Sequence, residues 1–485
     1  MRLAMLLFAV CITTEFSAIA AAPRLDAETA QRDLRILKRA ITELHPGSDR
    51  YLRPDALEAE FEQAKVEVAT GADLGTMYRL ASRLSSSLRC GHTWTNPLNQ
   101  GEAVKTAVFG AGDKLPLWLR LVDGRFLIMA SSDPRIAGGT ELLAIDGRPA
   151  PTLIDELMPY LRADGSSDGK RRAQLDSDDN GGAMDRLFPL LHPPRAGRYR
   201  LRLRDAAGRE RTLVAAATSI EKRDRQLAKR GIKPRGSDWA FSVDGQGIAI
   251  LTMPTFAFWR SKFDWQAAIA NAFAVVDAGR VRGLVLDLRD NEGGDDDIGN
   301  AVMAQLLDQP YSKPVYTPYT RYERVPYALA RFLDTWEFGY LDRTGQVTKL
   351  GERWYRADNR IEPPEIITPV AGARHVPTVA LTGPQMSSAG FIIARDLKAS
   401  GVAKLIGRST GGNRRGLYGG ELAWVTLPGS GVAVDIPLLA WRPAGDEPDA
   451  GIEPDIAVPE DFEAIRAGRD PDLEAARVWL DATPP

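Results

Sequence analysis

Four short apolar runs set the strongest limit on how this chain can fold. They are "GIAILTM" (247–253), "GLVLDLR" (283–289), "TVALTG" (378–383) and "AKLIG" (403–407). Each is rich in Val, Ile and Leu and almost unbroken in apolarity. A strand with one wet face would alternate, so these runs suit a sheet covered on both sides. Helical stretches lie between them. The region from about 240 to 460 is therefore an α/β layer domain. At 485 residues the chain is too long for one core. Two or three domains are expected.

The other regions carry different periods. In "DLRILKRAITEL", Leu34, Leu37, Ile41 and Leu44 fall on one helix face, and His45-Pro46-Gly47 ends the pattern. "PDALEAEFEQAKVEV" opens on Pro54, a good first-turn residue. "DLGTMYRLASRLSSSL" repeats the helical spacing behind Asp73, a fitting N-cap. Residues 26–90 thus read as a small helical unit. From about 115 to 215 the period changes to two. Asp123-Gly124 sits between two apolar runs and predicts a hairpin, and "YRLRLRDAAGRERTLV" predicts another. "GGTELLAIDGRPAPTLIDELMPYL" reads as strand, turn at Asp146-Gly147, then helix. The polar stretches "DGSSDGKRR" and "DSDDNGG" read as flexible loops. Residues 311–371 interrupt the α/β region with aromatics that include Trp336, Tyr340 and Trp354. They read as a packed insertion, with a wall or lid over a cleft as the other option.

The N-terminus, "MRLAMLLFAVCITTEFSAIAAAPR", places a basic residue before an apolar run and then "AIAAA". That is the layout of a secretory signal peptide with an A-x-A cleavage site, expected over 1–22. The apolar run is short for a bilayer span. The expected location is the periplasm or the outside of the cell, with no stable membrane insertion after cleavage. Removal of the leader takes Cys11 with it. Cys90 is then a lone thiol, and no internal disulfide can form. A net charge of −2 gives no reason to expect a nucleic-acid partner.

Three stretches could carry chemistry. "LVLDLRDNEGGDDD" (284–297) ends a buried strand in Gly293-Gly294, where backbone N–H groups can approach developing negative charge. An ordinary strand-to-helix turn capped by Asp295–Asp297 explains the same letters. "PQMSSAGF" (384–391) puts Ser387 and Ser388 at a strand-to-helix junction. One of them could be a helix cap or a nucleophile. "GRSTGGNRRG" (407–416) is a further glycine-rich turn whose arginines could hold a carboxylate. A nucleophilic serine needs a base, and there are four histidines. His45 and His192 precede prolines and His375 precedes a strand. His92, in "LRCGHTWTNP", is the best placed. Nothing around Cys90 suggests an activated thiolate. No acidic cluster has the spacing of a metal loop, and no metal or organic cofactor is expected.

Taken in order, "GHT", "GGTELLAIDGRP", "GIAILTMPTF", "LVLDLRDNEGG", "ALTGPQMSSAG", "LIGRSTGGN", "LPGSGVAVDIP" and "GIEPDIAV" resemble the C-terminal-processing, tail-specific and tricorn-core serine peptidases. The resemblance implies a crotonase-like α/β catalytic domain (236–470), an N-terminal helical domain (23–100) and a PDZ-like β-rich domain (101–220). It implies that Ser388 is the nucleophile, followed by Ala389 and Gly390. Phe391 stands where the family often has glutamate. One branch activates serine with a downstream lysine, but Asn413 fills that slot here, and an arginine cannot replace it. The other branch uses histidine in an "HT" motif, which implies His92 as general base. The same branch implies a downstream acid: Glu447 first, Asp449 second. The implied oxyanion donors are the N–H groups of Ala389 and of Gly293-Gly294. The implied substrate is a peptide or protein. Two other readings use the same fold or residues: a non-catalytic binding protein, and a hydrolase of non-peptide acyl compounds.

Overall fold

The computed structural model describes residues 24–177, 182–232, 236, 238–259 and 261–483. The expected leader, with Cys11, lies outside the described residues, as do 178–181 of "DSDDNGG".

The helical unit forms as its periodicity predicts. Helices α1 (Ala27–Leu44), α2 (Pro54–Glu67) and α3 (Leu74–Ser86) follow one another. Leu34, Leu37, Ile41 and Leu44 of α1 are all buried. Asp73 caps α3 by accepting from Thr76 N at 2.7 Å. His45 ends α1, but it is more than a turn residue, as described below.

The middle region is an antiparallel sheet. Strands β1 (Leu117–Val122) and β2 (Arg125–Ser131) form the Asp123-Gly124 hairpin, where both turn residues have positive φ. β3 (Thr140–Ile145) pairs with β2 and leads through Asp146-Gly147 to a helix over Ala150–Leu157. Helix α4 (Asp168–Ala173) then occupies the stretch expected to be a flexible loop. Its Lys170 and Arg171 are buried, so that expectation is corrected. β4 (Arg198–Arg204) and β5 (Glu210–Ala216) close the sheet, with Tyr199, Leu201 and Leu203 turned inward.

The α/β region is built on six strands: β6 (Ala240–Val243), β7 (Ile248–Thr252), β8 (Gly283–Asp287), β9 (Thr378–Thr382), β10 (Lys404–Gly407) and β11 (Ile456–Ala457). They lie side by side in sequence order. β6 pairs with β7 antiparallel, and all other neighbours are parallel. Helices α5 (Trp265–Asp277), α6 (Asp296–Leu306) and α7 (Ala389–Ser400) cover one face through Phe273, Val302 and Leu397, against Leu284, Leu286 and Ala380. Helix α8 (Pro471–Ala482) covers the other through Ala476 and Leu480, against Val285, Val379 and Ile406. Both faces are dry, which is why the strands read as continuous apolar runs. Arg289, just past the carboxyl end of β8, ties that strand to the start of α8: it pairs with Asp287 at 2.7 Å and with Asp470 at 2.7 Å.

A second continuous core joins the helical unit, the antiparallel sheet and residues 422–440. It includes Leu34, Leu80, Leu153, Leu201 and Val434. The insertion is not a separate body. Its strand Tyr316–Thr320 pairs antiparallel with Ala440–Pro443.

Candidate active site

The site lies at the carboxyl ends of β8 and β9, two adjacent central strands. This is where open parallel sheets present their loops to ligands.

After β9 the chain turns through 383–388 into α7. Ser388 stands at the N-cap position with φ 50° and ψ −131°. A non-glycine residue held there stores on the order of 1–3 kcal/mol of strain. Its side chain makes no capping hydrogen bond. The hydroxyl is therefore not spent on the helix, which removes the capping explanation. Ser388 is partly exposed and lines the cleft. Ser387 is different. It is buried, and its Oγ accepts from Lys170 Nζ at 2.7 Å and donates to Glu292 O at 3.3 Å.

After β8 the chain turns through Asn291-Glu292-Gly293-Gly294. Asn291 organises this turn: its Nδ2 donates to Met253 O and its Oδ1 accepts from Gly293 N, both at 2.8 Å. Gly293 has φ 101°, and a Cβ there would sit 2.7 Å from both Ala389 N and Ser388 Cβ. The two turns touch backbone to backbone, and only glycine permits it. The Gly293 N–H is thus engaged with Asn291. The Gly294 N–H makes no hydrogen bond to a described residue. Ala389 opens α7, so its N–H has no intrahelical acceptor.

His92 reaches this point from the chain's other end. After α3, Trp94 O accepts from Asp435 N at 2.9 Å, which ties the histidine loop to the strand Ala433–Pro437. Asn96 and Asn99 donate to Asp435 at 2.7 and 2.8 Å. Beneath the loop, His45 is fully buried. Its Nδ1 accepts from Gly47 N at 2.9 Å, so its Nε2 carries the proton and donates to Thr93 Oγ1 at 2.8 Å. Burial holds His45 far below its ordinary pKa, at about 3, which keeps this neutral tautomer.

His92 lines the cleft, and its Nδ1 is buried without a hydrogen-bond partner. Burial lowers its pKa, opposed mainly by the charge of Asp164. A neutral imidazole at neutral pH is the form a general base needs. No hydrogen bond joins His92 to Ser388, although both face the same cleft. Asp164 is buried and accepts from Gly91 N at 2.7 Å. Cys90 is fully buried and its thiol is pushed up to about 12, so it is inert.

The downstream acids are held elsewhere. Glu447 pairs with Arg414 at 2.6 Å. Asp449 accepts from Asn413 Nδ2 at 2.5 Å, Ser166 Oγ at 2.9 Å and Tyr51 at 3.1 Å. Neither is paired with His92. The carboxylates whose charges act on His92 are Asp164 and Glu292. Glu292 remains exposed to the cleft. The protein packed around its carboxylate strips away part of the water and raises its pKa, but Lys170 and Arg162 outweigh this and hold it at about 2. Arg162 donates to Gly91 O and to Glu292 at 2.8 Å, with its guanidinium 3.7 Å over the Trp94 ring. The sequence reading missed Asp164, Arg162 and Lys170. The only signal was the five charged residues of "DGSSDGKRR", which read as a polar loop, with Arg162 just before it.

The cleft has a volume of about 1830 Å³ and is lined by both turns, His92 and the insertion. From the insertion come Val315, Tyr316, Trp336 and Tyr340, facing Trp424 and Trp441. The segment 311–371 is thus a wall of the cleft. Drug-sized pockets hold about 300–1,000 Å³, so this space suits an extended polymer segment. No cluster of potential metal ligands occurs among the described residues.

The sequence of residues 247–458 matches peptidase family S41. That segment is a peptidase domain of the serine class, the hydrolase expected from the motifs. In overall structure the chain resembles mature CPAF complexed with lactacystin, with a TM-score of 0.59, 16% identity, and coverage of 94% of this chain and 97% of that one. A CPAF mutant gives a TM-score of 0.61 at 15% identity, covering 94% and 96%. The photosystem II D1 C-terminal processing protease gives 0.38 at 16% identity, covering 90% and 96%. At these identities the CPAF likeness is one of fold. No curated protein matches the sequence.

Proposed function

We propose that the protein is an extracytoplasmic serine endopeptidase working through an acyl-enzyme on Ser388. The observation that carries this reading is the Ser388 backbone: a strained residue closing the turn between a central strand and α7, with its hydroxyl free of the helix and open to the cleft. Ser388 Oγ attacks the peptide carbonyl carbon. His92 takes the hydroxyl proton and returns it to the leaving amine. The oxyanion is held by the N–H groups of Ala389 and Gly294, with Gly293 giving the close approach rather than a proton. Water, deprotonated by His92, then releases the acid. Asp164 supports the imidazolium that forms, in the role first expected of Glu447. Reach of His92 Nε2 to Ser388 requires the tightening that substrate binding commonly brings.

The crotonase-like and PDZ-like descriptions suit the parallel and antiparallel sheets. The latter would take a peptide by strand addition. The leader motif supports export.

The test is fluorophosphonate labelling with intact mass, beside cleavage of an unstructured protein. Wild type and Ser387→Ala should label and cleave, while Ser388→Ala should do neither. Cleavage by Ser388→Ala at the wild-type rate would sink the reading. Labelling without peptide cleavage, but with ester turnover, would redirect it to a non-peptide acyl substrate.

A further inference from the structure

Among the described residues, Lys170 is the one lysine whose ammonium hydrogen-bonds to both turns of the site. It sits on α4, in the middle region, and is fully buried. Its Nζ lies 2.7 Å from Ser387 Oγ, 3.0 Å from Gln385 O and 3.1 Å from Glu292 Oε1. The proton count decides its state. A carbonyl and a carboxylate only accept, so both need an N–H from Lys170. Ser387 Oγ accepts from Lys170 at 2.7 Å and turns its own proton toward its nearest acceptor, Glu292 O, at 3.3 Å. Three acceptors need three N–H donors, and a neutral amine has two. Lys170 is an ammonium with every proton used, and Ser387 is its hydrogen-bond partner, not a nucleophile it activates.

Resting on Ser388 as the nucleophile, we infer that Lys170 is a positioning residue: its ammonium clamps the Gln385–Ala389 turn to the Glu292–Gly294 turn and so fixes the spacing of the oxyanion donors. Ser387 directly precedes Ser388-Ala389, and Glu292 directly precedes Gly293-Gly294. A single cation thus holds the residue two positions before each donor, Ala389 and Gly294. The backbone adds one cross-link, Ser387 N to Asn291 O at 3.3 Å. Because the donors act on charge that develops only in the transition state, loosening them lowers kcat and leaves KM nearly unchanged.

The charges around Lys170 are Glu292, Arg162 and Asp164. Burial lowers its pKa. The clamp needs the proton, so activity falls as pH rises through the Lys170 pKa. A lysine acting as base gives the opposite sign.

The test is steady-state kinetics from pH 5 to 10.5 on wild type, Lys170→Met, Lys170→Met/Glu292→Gln, Ser387→Ala and Ser388→Ala. The double variant removes both charges and guards against a fold lost to an unpaired Glu292. The expected result is a fall in kcat of about 10²-fold, the scale of one displaced oxyanion donor, with KM within about threefold. Lys170→Met should also move the acid limb of kcat/KM to higher pH, since the Lys170 charge depresses the His92 pKa. Ser387→Ala removes one acceptor, which should move the alkaline fall to lower pH. Wild-type kcat in either Lys170 variant, equal changes in kcat and KM, or a flat or rising alkaline profile in wild type would overturn the clamp. If neither Lys170 variant folds, the alkaline limbs of wild type and Ser387→Ala decide. Activity retained by Ser388→Ala would instead fault the nucleophile and leave the clamp unindicted.

Discussion

Gly293→Ala separates backbone geometry from side-chain chemistry, because it adds one methyl and removes no functional group. Gly293 has φ 101°, and the new Cβ would meet Ala389 N and Ser388 Cβ at 2.7 Å and Ser387 O at 2.9 Å. All three belong to the nucleophile turn, and two are main chain, so no rotamer change relieves the clash. Left-handed backbone costs an alanine about 1–2 kcal/mol. Forcing a methyl into packed backbone adds about 1–3 kcal/mol. The summed loss of stability is about 2–5 kcal/mol. Gly431→Ala is the control: φ is 70° and nothing lies within 4 Å of the new Cβ. It should lose only about 1–2 kcal/mol, with activity unchanged. Urea unfolding gives the stabilities. Because the methyl pushes Ala389 N from its aim, kcat of Gly293→Ala should fall by about 10²–10³-fold, equivalent to one oxyanion donor. KM should hold. If Gly293→Ala keeps kcat within threefold of wild type, contact between the two turns does not set the oxyanion site, and the reasoning fails.

Two further results follow from the groups behind His92. Asp164→Asn removes the charge that favours protonated His92, so the acid limb of kcat/KM should move to lower pH while kcat falls by up to about 10²-fold. An unmoved limb would free Asp164 of any part. His45 binds no proton in the fold until about pH 3, whereas an unfolded histidine binds one near 6.5. Its folded pKa is depressed, so the unfolded chain holds more protons in that window, and stability falls as pH drops from 6.5 toward 3. In urea melts from pH 7 to 4, His45→Gln should be less stable than wild type at pH 7, and that gap should narrow as pH falls. A constant gap would show that His45 is not buried neutral.

The sequence carried the sheet well, for a physical reason. Strands buried on both faces need apolar residues at every position, so Ile248–Thr252 and Thr378–Thr382 announce themselves locally. The turns after β8 and β9 were legible too, because close backbone approach demands Gly293 and Gly390. The charged residues of the site were not. Lys170 and Asp164 have no periodicity and sit among serines and glycines. What buries them are Gln385, Glu292 and Gly91, which lie far away in sequence. Glu447 was favoured for its position along the chain, but its carboxylate is held by Arg414. His45 read as a turn residue because its partner, Thr93, comes from another segment.

The order of the strands has a consequence for biosynthesis. Chains fold from the N-terminus as they are made. The part bearing His92 emerges early, and the strands that carry Gly294 and Ser388 join the sheet later, each along the edge of the one before. No nascent chain shorter than about the first 390 residues contains both of the proposed reacting groups, His92 and Ser388. The last edge strand, Ile456–Ala457, and the Pro471–Ala482 helix over the sheet come later still. A chain cut short before Ser388 therefore lacks the proposed nucleophile, whatever else of it has folded.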